Sequence, residues 1–435
     1  MRSTVRFPWM STYSSASGAF CAPVTFAACL AIACAASACT PRPLPNDQLQ
    51  QESRQPPGRI PPRNYWRTDY LGPVQLSALQ TPINTGTIPP WYFGLNNAGA
   101  VSWTGPDYEN PGIGARSSAY QLVPATGAQP VQVRAISDFQ SKVSSSYAGG
   151  VNQSGVTAGY WWKQTGDIPP LPFTQSFVWR LGNSTPDSLA TLSGSTNAQA
   201  FDINDGGQVV GYSVPQNGGM TATLWQSGTP SAMPSAIDIL GSLNSQAIAI
   251  NNVGSMVGGY IPSGGSDYYP FYRTVAGQVT TDFDMGPGVA KGFATDVNDS
   301  ETVVGYSTLG ALGTATGIKQ QAWRWTNSQH TLPLFGLGFP NEQPSEAYSI
   351  NKSGTIAGSS GWPGNPSQPR AVTWTNPTRN AYQATDVTAM VGSPGLILTH
   401  ALKVNDNGDI LCAGTGSSHG PGMYLVRWTG PRIAP

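Results

Sequence analysis

Charge is what this chain is shortest of. Its 435 residues hold 22 Lys and Arg against 22 Asp and Glu, 10 % in all, with no net charge. An ordinary soluble domain has about a quarter. No basic stripe appears, so nucleic acid and an anionic membrane surface are poor partners. Histidine is scarcer still. His330, His400 and His419 stand far apart, and no Cys-x-x-Cys occurs, which excludes the common zinc spacings. Cysteine is unevenly placed: Cys21, Cys29, Cys34 and Cys39 precede residue 40, leaving only Cys412 in the body. A disulfide framework is therefore excluded. No Gly-rich phosphate loop follows a strand pattern, and no G-x-S-x-G motif occurs in a strand–turn–helix setting. These absences leave no catalytic residue, metal site or cofactor to name.

What is abundant is turn formers and aromatics: Gly 51, Pro 38, Trp 13, Tyr 17 and Phe 13. Disorder would need few aromatics. Many turns with many aromatic and β-branched residues fit short strands.

No charged residue separates Arg6 from Arg42, and Phe20–Ala33 is the apolar centre of that stretch. A basic start, an apolar run and small residues predict an export signal over residues 1–38. Met10 is an alternative start. An uncleaved anchor over Phe20–Ala38 is the other reading, weakened by its many Ala, Ser and Cys. Ala36-Ser37-Ala38-Cys39 resembles a bacterial lipobox, with Ala31-Ile32-Ala33-Cys34 a poorer match. The resemblance implies lipidation at Cys39, and Thr40 after it implies the outer membrane. Ordinary cleavage and free secretion is the alternative. Residues 39–65, with seven prolines from Pro41 to Pro62, read as an extended tether.

From residue 66 onward one unit recurs. It ends in Asn at Asn96, Asn152, Asn204, Asn251, Asn298, Asn351 and Asn405, preceded by segments such as AFDI, AIAI and ATDV. Three residues after the Asn stands Gly, except Glu301; seven after stands Gly, except Trp103 and Cys412. A third segment ends in Trp179, Trp225, Tyr272, Trp325, Trp374 and Trp428, with Leu122 in the first copy. A fourth apolar segment follows, as in SLATL (188–192) and AIDIL (236–240). Asn-x-x-Gly between apolar runs is a hairpin signal, so the asparagines are turn builders. Four strands per copy is a propeller blade. The expected fold is an all-β, seven-bladed propeller over 66–435. The last copy lacks a fourth strand, so a strand near residues 73–79 is expected to complete it. An open β-solenoid is the alternative.

AFDINDGGQVVGYS (200–213) resembles the unit of the bacterial extracellular HAF repeat family. The later part of that unit departs, since SFVW (176–179) and RAVTW (370–374) lack its His. The resemblance covers about residues 90–430. It implies an extracytoplasmic protein and brings no catalytic residue.

Candidate binding residues come from two places. Asp202, Asp296 and Lys403 occupy the inner strand two residues before the Asn, where a propeller lines its channel. Trp161, Trp162, Tyr268 and Tyr269 lie away from the recurring aromatic, and such residues suit sugars or protein partners. Cys412 reads as a buried inert thiol. The Asn-Asp loops at 204–207 and 405–409 lack a full calcium-ligand series. The resulting expectation is a non-enzymatic envelope binding or scaffold propeller, for glycans or a protein partner, its oligomeric state open. The alternative is a hydrolase or lyase acting at the central channel.

Overall fold

The structure is a computed structural model. It describes residues 66–72 and 93–429 apart from 107–116, 124–131, 136–142, 165–171, 181–182, 184, 217, 227–232, 240, 284, 286–290, 308–319, 328, 338–342, 364 and 376–381. The expected signal, Cys39, the tether and the segment 73–79 lie outside the described residues.

Seven four-stranded antiparallel sheets form a ring, each sheet one blade. The inner strands are Gly94–Leu95, Val143–Val151, Ser195–Ile203, Ser242–Ile250, Gly292–Val297, Ser345–Ile350 and Leu396–Val404. Each ends at an anchoring Asn, and each Asn builds its hairpin in the same way. In the fourth blade, the Asn251 N–H donates to the Ser255 carbonyl at 3.0 Å, and the Gly254 N–H returns to the Asn251 carbonyl at 3.1 Å. Asn251 Oδ1 then accepts the Ser255 N–H at 2.8 Å. The turn needs a left-handed residue at its third position, as at Gly254 with φ 95° and Gly207 with φ 79°. Glu301, at the one position where the repeat departs from Gly, takes the same conformation with φ 56°.

The amide nitrogens of these asparagines do a second job. Asn96 Nδ2 donates to the carbonyl of Asn152 (2.8 Å), Asn152 to Asn204 (3.2 Å), Asn204 to Asn251 (3.0 Å) and Asn251 to Asn298 (2.9 Å). Asn298 then reaches Asn351 (3.1 Å), Asn351 reaches Asn405 (2.9 Å), and Asn405 returns to Asn96 (3.0 Å). The array closes on itself, so the open solenoid does not form.

The final blade is completed by an N-terminal strand, as expected, but the strand is Trp66–Gly72. It pairs antiparallel with Gly420–Trp428, with Trp66 opposite Trp428 and Tyr70 opposite Tyr424. Its alternation explains the choice. Trp66 and Tyr70 share one face, with ring centroids 5.0 Å from Trp428 and 5.3 Å from Tyr424. Arg67 and Asp69 take the other face and pair at 2.7 Å.

Apolar residues sit mainly between blades. Val178, Leu189, Ala200, Val209 and Trp225 join the second and third blades, and Val304, Leu334, Ile350 and Trp374 join the fifth and sixth. Trp225, Trp323 and Trp374 are fully buried, each worth about 2–3 kcal/mol against exposure. Gly in the second strand is what lets the Trp323 and Trp374 rings in. A Cβ at Gly305 would strike the Trp323 ring and the Phe293 carbonyl, and one at Gly358 the Trp374 ring and the Glu346 carbonyl.

Two sequence expectations shift. Trp428 is 37 % exposed; Val426, opposite Ile410, takes the buried seat that Trp225 fills opposite Val209. The apolar fourth segments mostly follow the fourth strands instead of forming them. Pro234–Ala236 is the strand, while Ile237 and Ile239 beyond it insert into the core.

Candidate functional site

At the Asn end of the channel lies a cavity of about 170 Å³. Asp202, Asp296 and Lys403 line it, as the sequence suggests. The structure also shows what the two acids do. Asp202 Oδ2 accepts the Ile250 N–H at 3.0 Å and Asp296 Oδ2 accepts the Ile350 N–H at 2.9 Å, each across to the next blade. Asp202 is half-buried, lining the cavity deep in the channel. Desolvation raises its carboxyl to about 6, opposed by Lys403.

The residues one past each Asn form a further seam. Gln153 accepts the Asn97 N–H (3.1 Å), Asp205 that of Gln153 (2.8 Å), Asn252 that of Asp205 (2.9 Å) and Asp299 that of Asn252 (2.8 Å). Asp406 accepts from Lys352 (3.0 Å) and Asn97 from Asp406 (2.8 Å). Lys352 interrupts the series because its side chain has no acceptor. Asp205 and Asp406, the acids of the Asn-Asp loops, are thus seam members. Among the described residues no group of three or more His, Cys, Asp or Glu could hold a metal.

Above this mouth the inner strands bulge. The register slips between Ala200 and Asp202, Ala247 and Ala249, Ala347 and Ser349, and Ala401 and Lys403, leaving an extra residue unpaired. Those extra residues, Phe201, Ile248, Tyr348 and Leu402, meet in one buried cluster with Phe93.

The half of the channel beyond the bulges has a different character. Five residues before the Asn of copies two to seven stand Tyr147, Gln199, Gln246, Phe293, Glu346 and His400. Tyr160, Tyr212 and Tyr306 lie opposite Tyr147, Gln199 and Phe293 on the second strands. Tyr147 and Tyr160 stack at 4.7 Å, and Tyr268 lies 4.7 Å from Phe293. Glu346 is 6 % exposed. Its Oε2 accepts the Tyr348 hydroxyl, which also meets Ser359 Oγ at 2.8 Å. Glu346 Oε1 and the Tyr306 hydroxyl are buried without a partner. Burial raises the Glu346 carboxyl to about 7, against the Tyr348 hydrogen bond. Desolvation lowers His400 to about 4, so its imidazole is neutral at pH 7. That ring lies 6.3 Å from the Tyr348 ring.

The four sequence-selected aromatics occupy different settings. Trp161 packs with Phe177 and Trp179 beside Ala119 and Ala148. Trp162, next along the strand, is half-buried. Tyr269 lies 6.1 Å from Tyr260. Only Tyr268 packs against the central cluster. The Glu346, Tyr306, Tyr348 and His400 group was not singled out from the sequence. Its signal was available: in copies two to seven the position five before the Asn varies among Tyr, Gln, Phe, Glu and His, while the next is Ala throughout. Cys412 is fully buried and its thiol is pushed up by desolvation, as an inert residue should be.

No family model and no curated protein matches the chain. Solved structures similar in shape are propellers and related proteins. The β-propeller domain of the Trilobed protease from Pyrococcus furiosus has a TM-score of 0.48 and 9 % identity, over 79 % of this chain and 98 % of that one. TolB from Acinetobacter baumannii has 0.38 and 8 %, over 75 % and 65 %. A polysaccharide lyase of family PL25, an ulvan lyase, has 0.32 and 11 %, over 78 % of each. At these values the likenesses carry no argument about ligand or activity.

Proposed function

We propose that the protein is an exported cell-envelope binding propeller whose ligand well is the tyrosine-lined half of the channel. One observation carries this reading. Positions that repeat, the Asn and its neighbours, are bonded from blade to blade, whereas the channel position five before the Asn varies among Tyr, Gln, Phe, Glu and His in copies two to seven. Identical parts build a ring; differing parts facing the axis give a ring its specificity. The mouth acids favour no catalysis, since Asp202 and Asp296 are spent on backbone N–H groups. Clustered tyrosines supply flat surface at low entropic cost, which suits glycans. Export rests on the leader and the HAF-like repeat, and anchoring on Cys39. No described helix is long and apolar enough to cross a membrane.

The test is a glycan and envelope-polysaccharide array probed with the folded chain. Binding lost in Tyr268→Ala and kept when Trp161 and Trp162 become Ala supports the well. Loss in the tryptophan variants alone moves the site to the second blade, and no glycan binding turns the search to envelope proteins. A hydrolase or lyase is the second reading, favoured by the buried Glu346 carboxyl. Turnover of a bound glycan, lost in Glu346→Gln, would establish it.

A further inference from the structure

Glu346 is a buried acid without a cation. One oxygen takes the Tyr348 hydroxyl, the other has no partner, and no described Lys, Arg or His forms an ion pair with it. A buried carboxylate left uncompensated is costly, so such a group either takes up a proton or meets a cation. His400 supplies no charge at neutral pH, and the Tyr306 and Tyr348 phenols are kept protonated by burial. What the group lacks is a positive charge. Beside it stand two phenols, Tyr348, whose hydroxyl donates to it, and Tyr306 of the preceding blade. Tyr306 adds a hydroxyl with nothing to bond. One carboxylate and phenols do not make a metal site, and a negative seat rejects anions.

We propose that the well binds an amine-bearing sugar, its ammonium group seated on Glu346 between the Tyr306 and Tyr348 rings and its sugar ring on the tyrosines of neighbouring blades. This rests on the binding reading above and specifies its ligand class. The ammonium supplies the missing charge, and the sugar hydroxyls have phenol, Ser359 and His400 groups to meet. His400 and Thr399 are the half-buried members of the group, so the ligand approaches past them.

Calorimetric titration of the full chain with glucosamine oligosaccharides and their N-acetylated counterparts at pH 6.5 tests this. The free-amine oligomers are expected to bind at least tenfold tighter. Their binding should release protons, because a seated cation favours the ionised carboxyl over its protonated form. Glu346→Gln should abolish both the preference and the proton release while keeping residual affinity through the tyrosines. Tyr306→Phe, which keeps the ring, should weaken amine binding severalfold. Equal affinity for both oligomers overturns the ammonium seat and leaves the binding propeller standing. Binding only of other glycans also overturns it. Failure to bind any glycan overturns the ammonium seat and turns the binding reading toward envelope proteins.

Discussion

Each anchoring Asn uses both ends of its amide, Oδ1 on its own turn and Nδ2 on the next blade. Asn251→Ala therefore removes two buried hydrogen bonds and orphans the Ser255 N–H and the Asn298 carbonyl. A loss of about 3 kcal/mol is expected in urea unfolding. Asn251→Asp keeps the acceptor but buries a charge, so its deficit should grow as pH rises above the carboxyl range. Glu346 gives a second residue-scale expectation. Its carboxyl is raised from 4.5 to about 7, so it costs nothing below pH 4.5, and the cost grows from there and is complete above about 7. Glu346→Gln should become more stable than the parent across that window, by on the order of 3 kcal/mol at the top of it. A constant gap at all pH values would mean that Glu346 is not raised in the fold.

At the scale of the element, two kinds of glycine carry the hairpins. Gly211, in the second strand, leaves no room for a Cβ against the Gln199 carbonyl, whereas Gly155, in a turn, has open space and φ +72°. Gly211→Ala is expected to cost about 3 kcal/mol or prevent folding, through backbone displacement. Gly155→Ala should cost only about 1–2 kcal/mol, from its left-handed backbone. Comparable losses in thermal unfolding would contradict this division of roles. Glu301 illustrates the turn requirement: it takes the left-handed conformation without being Gly and sets its carboxylate 3.1 Å from Ser255 Oγ on the preceding blade. The inner strands show the same economy, since their bulges place the extra residue in the channel core.

At the scale of the whole fold, the described residues form a ring whose last blade borrows a strand. A chain beginning at residue 73 loses the partner of Gly420–Trp428 and exposes that edge. Compared with a chain beginning at residue 64, it should melt at lower temperature and associate with rising concentration by size exclusion, because an open edge recruits other strands. A monomer of unchanged melting temperature would show that closure rests on the Asn ring alone.

Blade number, strand order and the turn role of the asparagines were legible in the chain, because each is a local signal repeated seven times. Period and alternation fix a hairpin wherever it occurs. The closing strand was legible only as a need: its aromatic face becomes visible as such once Trp428 and Tyr424 lie opposite. Val426 in place of Trp428 at the buried seat was likewise decided by cross-strand register, which the spacing to the Asn does not record. The candidate well belongs wholly to the tertiary structure. Glu346, Tyr348 and Ser359 share a blade, but Tyr306 comes from the fifth and His400 from the seventh, and only ring closure sets them around one axis. The sequence determined the parts that repeat; the closed ring decided which of the non-repeating residues share the axis, since side chains some 50 residues apart gain a common dielectric and a common ligand only when the blades close.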